Sequence, residues 1–263
     1  MTRLVLLIVT LFAASVAAEE IKDFGRDRLN SSPRHADWID LKSGADRNIK
    51  AFVVYPERKD KAPVVLVISE IFGLTDWVRS LCDELAENGV IALAPDLHGG
   101  QKFEDLDGAR KATSALQKEQ VKADLDAAAE YALTKIPAAN GKLAVCGFCW
   151  GGGWTFDYAS MNPKLKAAYS FYGVALNDAT DVAKVACPVY GFYAENDERV
   201  NATIPKAEEL MKAAGKKYDP VTYKGAGHGF MRSGEPNNPQ VREGDKKARD
   251  EAWVRWKKLL AEL

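Results

Sequence analysis

The sequence predicts an α/β domain on a mostly parallel sheet covered by helices on both faces. Three observations predict it. Short β-rich runs such as VVLVIS at 64–69 and VIALAP at 90–95 are apolar without interruption, the pattern of strands buried on both faces. Amphipathic stretches of helical period fall between them. The alternation continues through nearly all of the 263 residues, with no repeat, low-complexity tract or long linker.

Taken in order, residues 1–18 stand apart. Arg3 precedes an apolar run from Leu4 to Ala14, and Val16 and Ala18 place small residues before a cut after Ala18. This is the pattern of a secretory signal peptide, too short to span a bilayer as a helix. A secreted or periplasmic location is therefore expected, with no membrane attachment after cleavage. Residues 19–47 are polar at first and read as a lead-in segment, leaving 48–263 as one domain. Strands are expected at 49–55, 64–69, 90–95, 143–148, 167–172, 189–193 and 220–223. Helices are expected at 77–88, 119–136, 152–159, 204–214 and 240–263. Within the second helix Val121, Leu125, Ala128, Ala132 and Ile136 form one apolar stripe; Ala252, Trp256, Leu259 and Leu263 do so in the last.

The composition excludes several classes of function. Apolar residues are 47% and charged residues 28%, ordinary for a globular chain. Lys and Arg number 36 against 37 Asp and Glu, so there is no basic footprint for nucleic acid. No metal or dinucleotide motif is present, and no cofactor is expected: Gly151-Gly152-Gly153 lacks the spacing and acidic partner of a dinucleotide site. A monomer acting on a small molecule is expected.

In such a sheet, sites form beyond the C-terminal ends of the strands. The strand 143–148 runs into Cys149-Trp150-Gly151-Gly152-Gly153, so Gly147-x-Cys149-x-Gly151 sits at a strand-to-helix junction. This is the nucleophile-elbow pattern with Cys in place of Ser. The helix start behind it favours a thiolate, and the Trp150 N–H would face a developing oxyanion. A nucleophile needs a base, and the base an orienting group. Acids follow the strand 189–193 at Glu195, Asp197 and Glu198, and His228, flanked by glycines, follows the strand 220–223. Spacing leaves the choice of acid open, but the order of nucleophile, acid and base is that of the α/β-hydrolase fold. His98, after the strand 90–95, stands either at the site mouth or in a structural hydrogen bond. Cys146-x-x-Cys149 is a competing redox spacing, although Cys146 falls inside an apolar strand. Cys82 and Cys187 are left as a candidate disulfide. A third reading is a binding protein that has lost turnover.

With these residues in hand, the chain resembles the dienelactone hydrolase family of cysteine α/β-hydrolases from about residue 48 to its end. The resemblance rests on Ser69-Glu70-Ile71-Phe72-Gly73, Ala94-Pro95-Asp96-Leu97, Gly147-Phe148-Cys149-Trp150-Gly151-Gly152, Phe171-Tyr172-Gly173, Asn196-Asp197 and Gly227-His228-Gly229-Phe230. It implies Cys149 as nucleophile, His228 as base and Asp197, preferred to Glu195 and Glu198, as orienter. It further implies Glu70 as the acid that contacts the resting thiol, Ile71 as second oxyanion donor beside Trp150, and Arg232 as a holder of a substrate carboxylate. Tyr172 and His98 are expected on the substrate side. One departure concerns the substrate: Pro95-Asp96-Leu97-His98-Gly99-Gly100 lacks the second carboxylate-binding arginine of dienelactone-degrading members. A different ester or lactone is therefore expected.

Overall fold

The computed structural model describes residues 25–44 and 47–263. The leader expected at residues 1–18 lies outside the described residues. An eight-stranded sheet carries the fold, in the order β1-β2-β4-β3-β5-β6-β7-β8. Its strands are β1 (Ala36–Ser43), β2 (Arg47–Val54), β3 (Ala62–Ile68), β4 (Ile91–Pro95), β5 (Ala139–Phe148), β6 (Leu165–Phe171), β7 (Val189–Asn196) and β8 (Tyr218–Gly227). The β1–β2 and β2–β4 pairs are antiparallel and every pair from β4 to β8 is parallel.

The helices are α1 (Arg26–Ser31), α2 (Asp76–Glu87), α3 (Leu106–Ser114), α4 (Lys118–Thr134), α5 (Trp150–Met161), α6 (Ala179–Lys184), α7 (Glu198–Asn201), α8 (Ile204–Ala213), α9 (Phe230–Ser233) and α10 (Glu243–Leu260). Alternation along β3 shows why helices cover both faces. Val64, Leu66 and Ile68 turn into a core shared with α4, α5 and α8. Val65 and Val67 turn into the opposite core, shared with α2 and α10. All seven residues of β3 are buried, as the uninterrupted apolar run requires. Each fully buried Val or Leu contributes about 1.5–3 kcal/mol over an exposed one. Among the described residues, no helix is long and apolar enough to cross a membrane.

The seven expected strands are present, with ends shifted by a few residues. The segment 19–47, expected as a lead-in, instead contributes α1 and a sheet strand. β1 pairs with β2 along its full length, from Ala36 opposite Val54 to Ser43 opposite Arg47. Only Leu41 and Ser43 of β1 are buried, because it is the edge strand, so its sequence carries no continuous apolar run. The arm before it is tied down by charge. Arg28 and Arg34 reach Asp83 on α2 at 2.7 and 2.8 Å. Burial works against the Asp83 carboxylate, but Arg34, Ser32 and Arg28 outweigh it and hold its pKa below the usual range.

The expected Cys82–Cys187 bridge is not formed. All four cysteines are free. Cys82 on α2 packs into one core and Cys187 into the core on the other face of the sheet, so the sheet stands between them.

Candidate active site

The junction between β5 and α5 is built by close packing. Cys149, between them, has φ 56° and ψ −115°. Cys149 and Tyr172 are the described non-glycine residues with positive φ, and both stand just past the ends of neighbouring strands. Such conformations cost on the order of 1–3 kcal/mol each and persist where the surroundings fix them. Here the Cys149 N–H donates to the Phe171 carbonyl at 3.0 Å. The glycines around the thiol are steric necessities. A Cβ on Gly147 would stand 2.1 Å from the Gly151 carbonyl oxygen, and one on Gly151 2.4 Å from those of Ile68 and Ser69. The elbow is thus pressed against the end of β3, which leads into Glu70 and Ile71.

His228 follows β8 and Asp197 follows β7, two adjacent parallel strands. His228 Nδ1 lies 2.5 Å from Asp197 Oδ2, and Asp197 is buried. Burial disfavours the charged imidazole, but hydrogen bonds with Asp197 and with the Cys149 thiol prevail and push the His228 pKa up to about 10. Cys149, His228 and Asp197 thus face one shared cavity, with His228 and Asp197 in direct contact. Glu195, left open by spacing, faces elsewhere: its carboxylate accepts from the Gly225 N–H at 2.8 Å.

Glu70, directly beyond β3, is 3% exposed. Its carboxylate accepts from Arg232 Nε at 2.9 Å and from the Tyr172 hydroxyl at 3.4 Å. Arg232 is carried by the one-turn helix α9 just after His228, and its guanidinium lies over Phe72, 5.3 Å from the ring centroid. Burial pushes the Tyr172 pKa well up, as does the Glu70 charge beside it, so Tyr172 stays a neutral donor.

A cavity of about 780 Å³ opens at this end of the sheet, within the range of small-molecule sites. Cys149, Asp197, His228, Glu70, Ile71, Trp150 and Arg232 all line it. Trp150 is the first residue of α5, so its N–H has no acceptor within its own helix.

Of the residues expected on the substrate side, Arg232 lines the cavity, whereas His98 and Tyr172 are buried against residues that line it, His98 in the structural hydrogen bond that the sequence also offered. His98 is 8% exposed, with Nε2 3.1 Å from the Thr113 hydroxyl and its ring edge-on to Trp150 at 5.7 Å. Tyr172 is fully buried and packs edge-on against His228 at 5.2 Å. Position after a strand places a residue near the site but leaves the direction of its side chain open. Sequence reasoning also missed wall residues on helices: Leu106 and Arg110 on α3, Gly153, Trp154 and Asp157 on α5, and Arg199 on α7. The spacing of Gly153 and Asp157, four and eight residues after Cys149, was the available signal.

The family model described as the dienelactone hydrolase family matches residues 49–263. A protein of Methylorubrum extorquens named "Putative carboxymethylenebutenolidase" is 35% identical over 207 residues, 73% of this chain and 71% of that protein. A Bradyrhizobium protein named "Probable 2-oxo-3-(5-oxofuran-2-ylidene)propanoate lactonase" is 26% identical over 208 residues, covering 74% and 83%. Among solved structures, one titled as a putative dienelactone hydrolase from Klebsiella pneumoniae superposes with a TM-score of 0.77 at 27% identity. That superposition covers 88% of this chain and all of the other.

Proposed function

This chain belongs to the dienelactone hydrolase family and has its α/β-hydrolase fold, and on that premise we propose that it cleaves a small ester or lactone by acyl transfer to Cys149. The observation that carries the proposal is the convergence of Cys149, His228 and Asp197 from the ends of β5, β8 and β7 on one cavity. In the proposed reaction the Cys149 sulfur attacks the carbonyl carbon and its proton resides on His228. The oxyanion is held by the N–H groups of Trp150 and Ile71. His228 then protonates the departing oxygen, leaving an acyl-thioester. Water attacks that thioester as His228 takes its proton, and the thiol is restored. Asp197 keeps the ring oriented through Nδ1. Glu70 shares the cavity wall and is a second acceptor for the thiol proton, while Arg232 compensates its charge.

The redox alternative has no support in this geometry. Cys146 is fully buried, and that burial pushes its pKa well above the ordinary value. The leader pattern at residues 1–18 supports export, which N-terminal sequencing of the protein purified from its native host tests: a chain starting at Glu19 is expected, and an intact Met1 argues against it. The activity test is Cys149→Ala with 4-nitrophenyl acetate and a simple lactone. Turnover should fall by on the order of 10³-fold or more. Turnover equal to that of the parent overturns the proposal.

A further inference from the structure

The cavity extends beyond the reacting groups. Gly153 and Asp157 are four residues apart on one face of α5, which starts directly after Cys149, and all three line the cavity. Eight residues of helix rise about 12 Å, so the open space runs along the helix away from the thiol. Part of its wall is apolar. Trp154 packs edge-on against Trp150 with centroids 6.0 Å apart. Val174, from the loop after β6, stands over Gly153; a Cβ there would meet the Val174 carbonyl oxygen at 3.6 Å. Leu106 and Val174 are two of the four large apolar side chains that the described residues leave exposed, and both belong to this cavity.

A carboxylate stands at the far end of that face. The Asp157 side chain is half-buried, and its ion-pair partner Lys118, on α4, lies 3.9 Å away, beyond hydrogen-bond reach, and is itself 55% exposed. Asp181, on α6, is the other charged group that acts on it, and burial raises the Asp157 pKa. An ionised carboxylate can accept about four hydrogen bonds, so Asp157 has capacity to offer a ligand.

We propose that this groove is a subsite for one limb of an elongated ester, with an apolar middle over Gly153 between Trp154 and Val174 and a hydroxyl or ammonium donor held by Asp157. The proposal rests on the hydrolase reading of Cys149 and deepens it by naming the substrate class. Asp157 comes eight residues after Cys149, so the donor end of the groove is set on the order of 12 Å of helix rise beyond the elbow. The guanidiniums of Arg110 and Arg199 line the same cavity from α3 and α7, so an anionic far end is the competing outcome.

The test compares the 4-nitrophenyl esters of acetate, decanoate, ω-hydroxydecanoate, ω-aminodecanoate and the decanedioate half-ester. A parallel series of acetate esters of long alcohols with the same end groups probes the other limb. Each is run with the parent enzyme, Gly153→Leu and Asp157→Leu, and the quantity read is kcat/KM relative to the unsubstituted acetate ester within each enzyme. In the parent, a hydroxyl or ammonium end should raise the ratio about tenfold over the plain chain in one of the two series, the worth of a hydrogen bond to a charged group. Asp157→Leu should abolish that gain, and Gly153→Leu should lower the long-to-short ratio about tenfold or more. Indifference to the end group in both series, preference for the carboxylate end, or ratios unchanged in Gly153→Leu would overturn the proposal. Failure of the hydrolase reading is separately visible as acetate turnover that survives loss of the Cys149 thiol.

Discussion

Gly151→Ala gives the sharpest test of how the elbow is built. The added Cβ would stand 2.4 Å from the backbone oxygens of both Ile68 and Ser69, where contacts under 3.0 Å do not occur and those under 3.4 Å are tight. The end of β3 or the start of α5 must therefore move by about 0.6–1.0 Å, because neither obstacle is a flexible side chain. Overpacking of this kind costs about 1–3 kcal/mol. The displaced peptide leads straight into Glu70 and Ile71, so the shift also reaches the proposed oxyanion donor. A misplacement near 1 Å lowers turnover on the order of 10²-fold. Gly153→Ala is the internal contrast: its nearest neighbour would be 3.6 Å away, and alanine in a helix gains about 0.5–1 kcal/mol over glycine. Urea denaturation and kcat on a small activated ester read both effects. A Gly151→Ala protein within about 0.5 kcal/mol of the parent and equal in kcat would refute the reasoning, as would stability changes of one sign in both variants.

Three further outcomes are expected. In the native protein a thiol reagent should label Cys149 rapidly and Cys82, Cys146 and Cys187 only after unfolding, since those three are buried and burial pushes Cys187 up to about 12; a second rapid thiol contradicts this. The raised His228 pKa makes its charged form a stabilising element, so the stability of the parent over His228→Gln should be fully present below about pH 6.5 and decline as pH rises through about 10. A gap that widens with rising pH, read by denaturation midpoints, would reverse the sign and refute it. Arg249→Leu should destabilise by about 3–5 kcal/mol. It strands Glu84 and Glu235, which Arg249 meets at 2.6 and 2.9 Å, and frees the Met231 carbonyl that its Nε holds beside Arg232. Destabilisation below about 1 kcal/mol would mean the network is loosely held.

The sheet was legible because parallel strands covered on both faces need apolar side chains at every position, and that need is written in β3, β4 and the second half of β5. β1 escaped because an edge strand needs only one covered face and few buried positions. Helices α1, α6, α7 and α9 escaped because each has six residues or fewer, and α3 because its nine-residue, mostly polar sequence reads equally well as loop. Cys149, Asp197 and His228 could be placed on one side of the sheet because each follows a strand that the sequence marks, with glycines close to two of them. His98 and Tyr172 could not be placed, because burial behind the wall depends on side-chain direction. For Tyr172 that direction follows from a backbone with φ 40°, which no sequence pattern signals. Asp157, Trp154 and Arg110 lie on helices, where a site residue and a solvated one share the same spacing.

The Glu70–Arg232 pair shows how to separate packing from chemistry in this site. A charge-bearing pair buried to this degree is weak evidence for stability, because desolvating both groups costs about as much as their attraction returns. An apolar pair of the same volume would hold the end of β3 against α9 as well or better. Another buried acid, Glu235, does not line the cavity: it joins α2 to α10 through Trp77 and Arg249. Glu70 bridges elements too, but it does so while lining the same cavity as Cys149, with Tyr172 and Arg232 both pointing donors at it. Arg232 compensates the carboxylate, so Glu70 does not stand in the cavity as an isolated charge. The shared cavity wall, and the place of Glu70 at the strand end next to the elbow, fit the acceptor role proposed for it.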